Sequence, residues 1–168
     1  MPPLGGLRIK AAKKEVSEKE FQLHIKLHSD GLFRYLVKNL GDSDSAKDVL
    51  QDTFISLWKH GGEIEQEKVK SWLFATAHNN MLKSIRHEKV RQNAVFNAEP
   101  TTDKLENKQL LDYLTSRLSE KMKQCLMLKD WQGFSIREIA EIMQMSEENV
   151  KINIFRARVK LKELKSKL

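Results

Sequence analysis

A single cysteine in 168 residues, Cys125, leaves no internal disulfide and no four-cysteine zinc site to hold a fold together. Glycine occurs only seven times and aromatic residues make up 7% of the chain, a mix that favours helices over strands and tight turns. No stretch approaches the roughly 18 uninterrupted apolar residues of a membrane-spanning helix, and Met1-Pro2-Pro3-Leu4-Gly5-Gly6 is not followed by the apolar core of a signal peptide. The expected location is the cytoplasm, without membrane insertion. The patterns G-x-x-x-x-G-K-[ST], G-x-G-x-x-G and G-x-S-x-G are all missing, so nucleotide hydrolysis and serine chemistry have no foothold. Neither a cofactor nor a catalytic residue is expected.

What the chain does have is charge and periodic apolar residues. An apolar fraction of 40% beside a charged fraction of 32% is a globular balance, and the length accommodates two small domains. The net charge of +7 is concentrated toward the end. Residues 149–168 carry seven basic groups against one acid, Glu163. Such a run is either a solvated face or a phosphate-contacting one, and charge alone does not choose between them.

Apolar spacing predicts an all-α chain of two small helical domains. Residues 1–16 lack apolar periodicity and read as a mobile basic tail; residues 17–91 form the first domain, 92–107 a polar flexible linker, and 108–168 the second domain. Leu32, Phe33, Leu36, Val37 and Leu40 define one face of a helix over about 18–40, stopped by Gly41. Asp44 or Ser45 is expected to cap the next, with Val49, Leu50, Thr53, Phe54 and Leu57 inward and Asp48, Gln51, Asp52, Ile55 and Lys59 outward. A third helical stretch over about 67–91 faces a core with Val69, Trp72, Leu73, Thr76 and Ala77. A bend or short loop is expected at Asn79-Asn80, whose amides compete for the backbone. In the second domain Leu110, Leu111, Leu114 and Leu118 share a face, Ser119 caps a helix that runs to Gly133, and Ser135 with Glu138 makes a capping box. Ser146 then caps a last helix with Val150, Ile154, Ala157, Leu161 and Leu164 inward.

A short helix, a three-residue turn and a longer basic helix make a helix-turn-helix, which seats its second helix in a major groove. The alternative is an ordinary helical hairpin, and the basic surplus on the last helix weighs against it. Other constellations are thinner. His24 and His28 are four residues apart, but no third metal ligand accompanies them. Asp48 and Asp52 share a face with nothing to enclose an acid–base pair, so contact with a partner is the better reading. Ile55 is an apolar residue in the middle of that polar face, which points to burial against something else. Trp58 and Trp72 read as core anchors.

Three blocks, DVLQDTFISLWKH (48–60), KSWLFATAHNNMLKSIR (70–86) and LSEKMKQCLMLKDWQGFSIREIAEIMQMSEENVKINIFRARVKLKEL (118–164), resemble bacterial sigma factors of the extracytoplasmic-function group in order and spacing. The resemblance implies two helical domains, sigma regions 2 and 4, that bind core RNA polymerase and direct it to promoter DNA, with no catalytic activity and with an anti-sigma factor as a further partner. It implies that Asp48, Gln51, Asp52 and Ile55 dock on the clamp coiled coil of the largest polymerase subunit. It implies that Asn79, with Asn80, captures a flipped base of the −10 element, and that Lys83, Arg86 and Arg91 hold the opened strand. Lys151, Ile152, Asn153, Phe155 and Arg156 match the positions that meet the −35 element. The chain departs from the common family pattern at Lys83, where Asp is frequent, at Ile152, where a small polar residue is common, at Asn153, where Arg is common, and at Gln144 in the turn. The alternative is a dimeric helix-turn-helix repressor that acts without polymerase. Co-elution with core polymerase and transcription from a cognate promoter separate the two.

Overall fold

The computed structural model describes residues 15–92 and 107–167, all seven α-helices and no strand among them. The expected tail up to Lys14 and the expected linker segment 93–106 lie outside the described residues. Two compact units result, the first made by the chain up to Arg91 and the second by most of the chain beyond it.

The first unit contains α1 (Glu18–Leu40), α2 (Ser43–His60) and α3 (Val69–Gln92), with two single 3₁₀ turns at Gly61–Glu63 and Gln66–Lys68 joining α2 to α3. Ser17 opens α1 through a capping box: its hydroxyl accepts from the Glu20 amide while the Glu20 carboxylate accepts from the Ser17 amide. The pattern S-x-x-E is legible at 17–20, as it is at 135–138. Gly41 ends α1 in the left-handed region at φ 73°, where a side chain would be strained. The cap of α2 lies two or three residues earlier than the expected Asp44 or Ser45, at Asp42, whose carboxylate accepts from the amides of Asp44 and Ser45. Hydrogen bonds from Ser45 and then Asp44 hold that carboxyl below its usual pKa.

Val16, expected in the tail, is part of the core. It is buried, and its Cγ2 occupies the space into which a Cβ on Gly61 would project, so the buried Gly61 is there for room and not for a left-handed turn. Val49, Thr53, Phe54 and Leu57 are buried on the inner side of α2, which packs against α1.

Helix α3 runs without a break through Asn79-Asn80, contrary to the expected bend. Ser71, Trp72, Leu73, Phe74, Thr76, Ala77, His78 and Met81 are all buried around it. Packing on every side outweighs the roughly 1 kcal/mol by which two asparagines disfavour a helix.

The second unit contains α4 (Asn107–Ser116), α5 (Glu120–Leu126) with a π-turn at Met127–Trp131, α6 (Ile136–Met143) and α7 (Glu147–Ser166). Ser119 caps α5, Gly133 at φ 75° turns the chain after the π-turn, and Ser135 with Glu138 closes the capping box before α6. Leu118, Cys125, Leu126, Met127, Leu128, Phe134, Ile139, Ile142, Val150, Ile154 and Ala157 form the core, with α5 and α4 against α7. Leu111, expected inward, is exposed. The Cys125 thiol is buried and pushed up to about 11, which makes it a packing group and not a reactive thiolate.

His78 gives the first unit a pH dependence. Its Nδ1 lies 2.8 Å from the Tyr35 hydroxyl, and burial holds its pKa down at about 4 against 6.5 in the unfolded chain. The unfolded state therefore takes up a proton that the folded state refuses, and stability rises with pH across that interval. The contribution is complete above about pH 6.5 and is lost as pH falls toward 4, by up to ~3 kcal/mol. His28 titrates in the same sense, held down by burial, then by His24 and Lys70. Urea midpoints measured between pH 7 and 5 will fall with pH in the parent protein, and His78→Gln will flatten that slope; an equally steep slope in the variant refutes the assignment.

Candidate nucleic-acid interface

Three surfaces carry the predicted residues, two in the first unit and one in the second. On α2, burial of Val49, Thr53 and Leu57 turns Asp48, Gln51, Asp52 and Ile55 to solvent, and Ile55 is 43% exposed. Trp58 belongs to the same surface and not to the core. It is 47% exposed, with its ring 5.0 Å from that of Phe21 in an edge-to-face contact. Spacing alone misses this, because Trp58 follows the fully buried Leu57 and reads as a continuation of the inner face. Trp72 is buried as expected.

On α3, Asn79 and Asn80 are half-buried, one turn before the helix emerges into solvent at Lys83 and Arg86. The asparagine carboxamides therefore sit on a helix surface and not in a loop. The irregular backbone of this unit lies instead at 61–68, between α2 and α3. Arg91 is in the last turn of α3, and its side chain lies outside the described residues.

On α7, the residues Lys151, Ile152, Phe155 and Arg156 are exposed, opposite the buried Val150, Ile154 and Ala157. Asn153 is half-buried and its Nδ2 donates to the Asn149 carbonyl at 2.8 Å, so one amide hydrogen is already used inside the helix. Ser146 caps the helix by accepting from the Asn149 amide. A contact without any sequence signal also fixes α7: Arg158 donates to Asp130 at 2.7 Å, tying the π-turn to the helix across 28 residues of chain. An outward basic face, held rigidly by a packed core and a fixed turn, can meet the phosphates of a duplex. Among the described residues no group of three or more metal-ligating side chains comes together, and no helix is long and apolar enough to cross a membrane.

Residues 24–91 match the family Sigma-70 region 2, and residues 108–161 match Sigma-70, region 4. Among curated proteins, the ECF RNA polymerase sigma factor SigM of Bacillus subtilis is 30% identical over 150 residues, which span 82% of this chain and 90% of that protein. The chain belongs to the extracytoplasmic-function sigma factors. RNA polymerase sigma factor SigZ of the same organism is 28% identical over 137 residues, covering 77% of this chain and 78% of its own. The fold is shared with the sigma factor RpoE in its complex with the anti-sigma factor NepR from Bartonella quintana, at a TM-score of 0.74 and 24% identity, covering 88% of this chain and 98% of that one. It is also shared with CnrH in its complex with the cytosolic domain of CnrY, at 0.65 and 22% identity, covering 89% and 90%.

As a sigma factor the protein is an initiation factor and not an enzyme: it directs RNA polymerase to begin transcription at particular promoters. Membership disfavours the polymerase-independent repressor.

The turn of the sigma factor's helix-turn-helix depends on Gln144, the one non-glycine with positive φ among the described residues, at 53°. The Met145 amide donates to the Ala140 carbonyl and the Gln144 amide to the Glu141 carbonyl, the paired bonds of a Schellman cap. A left-handed glutamine costs about 1 kcal/mol relative to glycine. Gln144→Gly is expected to stabilise the second unit by up to about 1 kcal/mol, and Gln144→Val to destabilise it, in chemical denaturation. If glycine destabilises, the strain is misassigned.

Proposed function

We propose that the two units divide initiation between them: residues 17–91 bind core polymerase and the −10 element, and residues 108–168 bind the −35 element. In this reading the α2 face of Asp48, Gln51, Asp52 and Ile55 docks on the clamp coiled coil of the largest polymerase subunit, and Trp58 extends that face. One observation carries the assignment: exposed carboxylates flank two large apolar side chains, Ile55 and Trp58, on the outer side of a helix whose inner side is already buried. Half-exposed isoleucine and tryptophan in one patch are the composition of an interface centre, and the acids around them select a basic counterpart. The compartment that fits these partners is the cytoplasm.

Asn79, with Asn80 beside it, takes a flipped base of the non-template strand at the −10 element, while Lys83, Arg86 and Arg91 hold phosphates of the opened strand. A carboxamide on a continuous helix is better oriented than one on a loop, because the helix fixes its backbone before the base arrives. On α7, Lys151 and Arg156 contact phosphates or base edges of the −35 element beside Ile152, Asn153 and Phe155. An anti-sigma factor is the inhibitory partner, as NepR is bound to RpoE in the Bartonella quintana complex.

Two experiments test this division. Asp52→Lys places like charge, and Ile55→Glu a desolvated carboxylate, in the clamp contact, and each is expected to cost about 1–3 kcal/mol of polymerase affinity in a quantitative pull-down, with helical content unchanged. Unchanged affinity removes the docking assignment. Asn79→Ala is expected to leave closed complexes intact and to lower permanganate-detected opening by about one to two orders of magnitude, with loss of discrimination between matched and mismatched −10 sequences. A template already melted there will regain activity but not selectivity. A lowered melting temperature with base discrimination intact assigns Asn79 to the helix alone.

A further inference from the structure

The outward face of α7 is not uniformly basic. Ile152 is 44% exposed, Phe155 69% and Val159 40%, and their spacing puts them in one stripe along the helix. Leaving three large apolar side chains in water is costly, so a partner is expected to cover them. At 3.6 residues per turn the exposed Lys151 and Lys162 flank the stripe on one side, and Arg156 and Lys160 on the other. An apolar centre between two cationic rails fits a partner with negative edges and an apolar group on the floor between them. The major groove of B-DNA has phosphates along both edges, and the one apolar group on its floor is the C5 methyl of thymine.

Ile152 has no polar side-chain atom, and the Asn153 amide already donates within the helix to Asn149. The exposed Glu148, Lys151 and Arg156 keep their hydrogen-bonding groups beside the stripe, so an apolar contact there acts alongside polar readout.

We propose that Ile152 and Phe155 recognise thymine 5-methyl groups in the major groove of the −35 element, so that the promoter preference of this sigma factor is set there by a methyl contact. The inference rests on α7 being the −35 helix. It makes the apolar Ile152, placed where small polar residues are common, a specificity residue and not a defect.

Holoenzyme assembled from the full-length factor and core polymerase would select promoter fragments from a pool randomised across the −35 element. Each thymine of the selected element would then be replaced by deoxyuridine, which removes the methyl and keeps the base pair. One or two replacements are expected to weaken binding about fourfold, the worth of one methyl-sized group buried. For Phe155→Ala and Ile152→Ser the ratio between thymine and deoxyuridine fragments will approach one, whereas Lys151→Ala will weaken both fragments alike. The inference is overturned if the selected elements lack thymine, or if deoxyuridine is accepted at every position while Lys151→Ala and Arg156→Ala still weaken binding. In that last case α7 remains the −35 helix without methyl readout. If neither basic substitution matters either, the −35 assignment itself fails. The deoxyuridine series on the parent holoenzyme stands even if a variant folds poorly.

Discussion

Burial of the middle of α3 on every side is the constraint on which the first unit depends. From Ser71 to His78 the helix has almost no solvent face, and its polar members are enclosed with the apolar ones. Tyr35 of α1 lies edge-on to Phe74 at 5.8 Å and hydrogen-bonds His78 one turn on, so a single side chain joins apolar packing to polar satisfaction. Because the inner side of α1 packs on this segment and on α2, what these two helices show to the outside is a fixed pattern and not a mobile one. That rigidity makes the α2 face and the emerging end of α3 usable as recognition surfaces: their side chains are held before any partner arrives.

The second unit solves the same problem with shorter elements. At 10, 7 and 8 residues α4, α5 and α6 are too short to be stable alone, and they depend on caps and on a shared core. Ser119, Ser135 with Glu138, and Ser146 each satisfy amides at a helix start, while Gly133 and Gln144 turn the chain at the ends. The Asp130–Arg158 pair adds a fixed connection between the π-turn and α7. It is half-exposed, so its value is in orientation more than in stability. Helix α7 is thereby aimed by local backbone chemistry, and Lys151, Ile152, Phe155 and Arg156 stand outside the packed core.

This division of labour explains how one helix can carry unusual residues. On α7 the inner positions Val150, Ile154 and Ala157 pack, and the outer positions can vary without harm to the fold. An isoleucine or an asparagine can stand there because the core does not test them, only the partner does. The same holds on α2, where Ile55 and Trp58 remain partly in water in the free protein.

The fold class, the order of helices, the helix-turn-helix and the outward placement of Asp48, Asp52, Ile55, Lys151 and Arg156 were legible in the amino-acid sequence, because caps and apolar periodicity act over three or four residues. The sequence by itself determined where most helices begin and end and which side of each is wet. Tertiary structure alone decided the continuity of α3 through Asn79-Asn80, the burial of Val16 over Gly61, the exposure of Trp58 and Leu111, and the Arg158–Asp130 pair. Each of these depends on groups brought together from distant parts of the chain or on enclosure from all sides. Local propensities are worth tenths of a kcal/mol per residue, whereas burying a large side chain is worth about 1.5–3 kcal/mol, so packing decides wherever the two disagree.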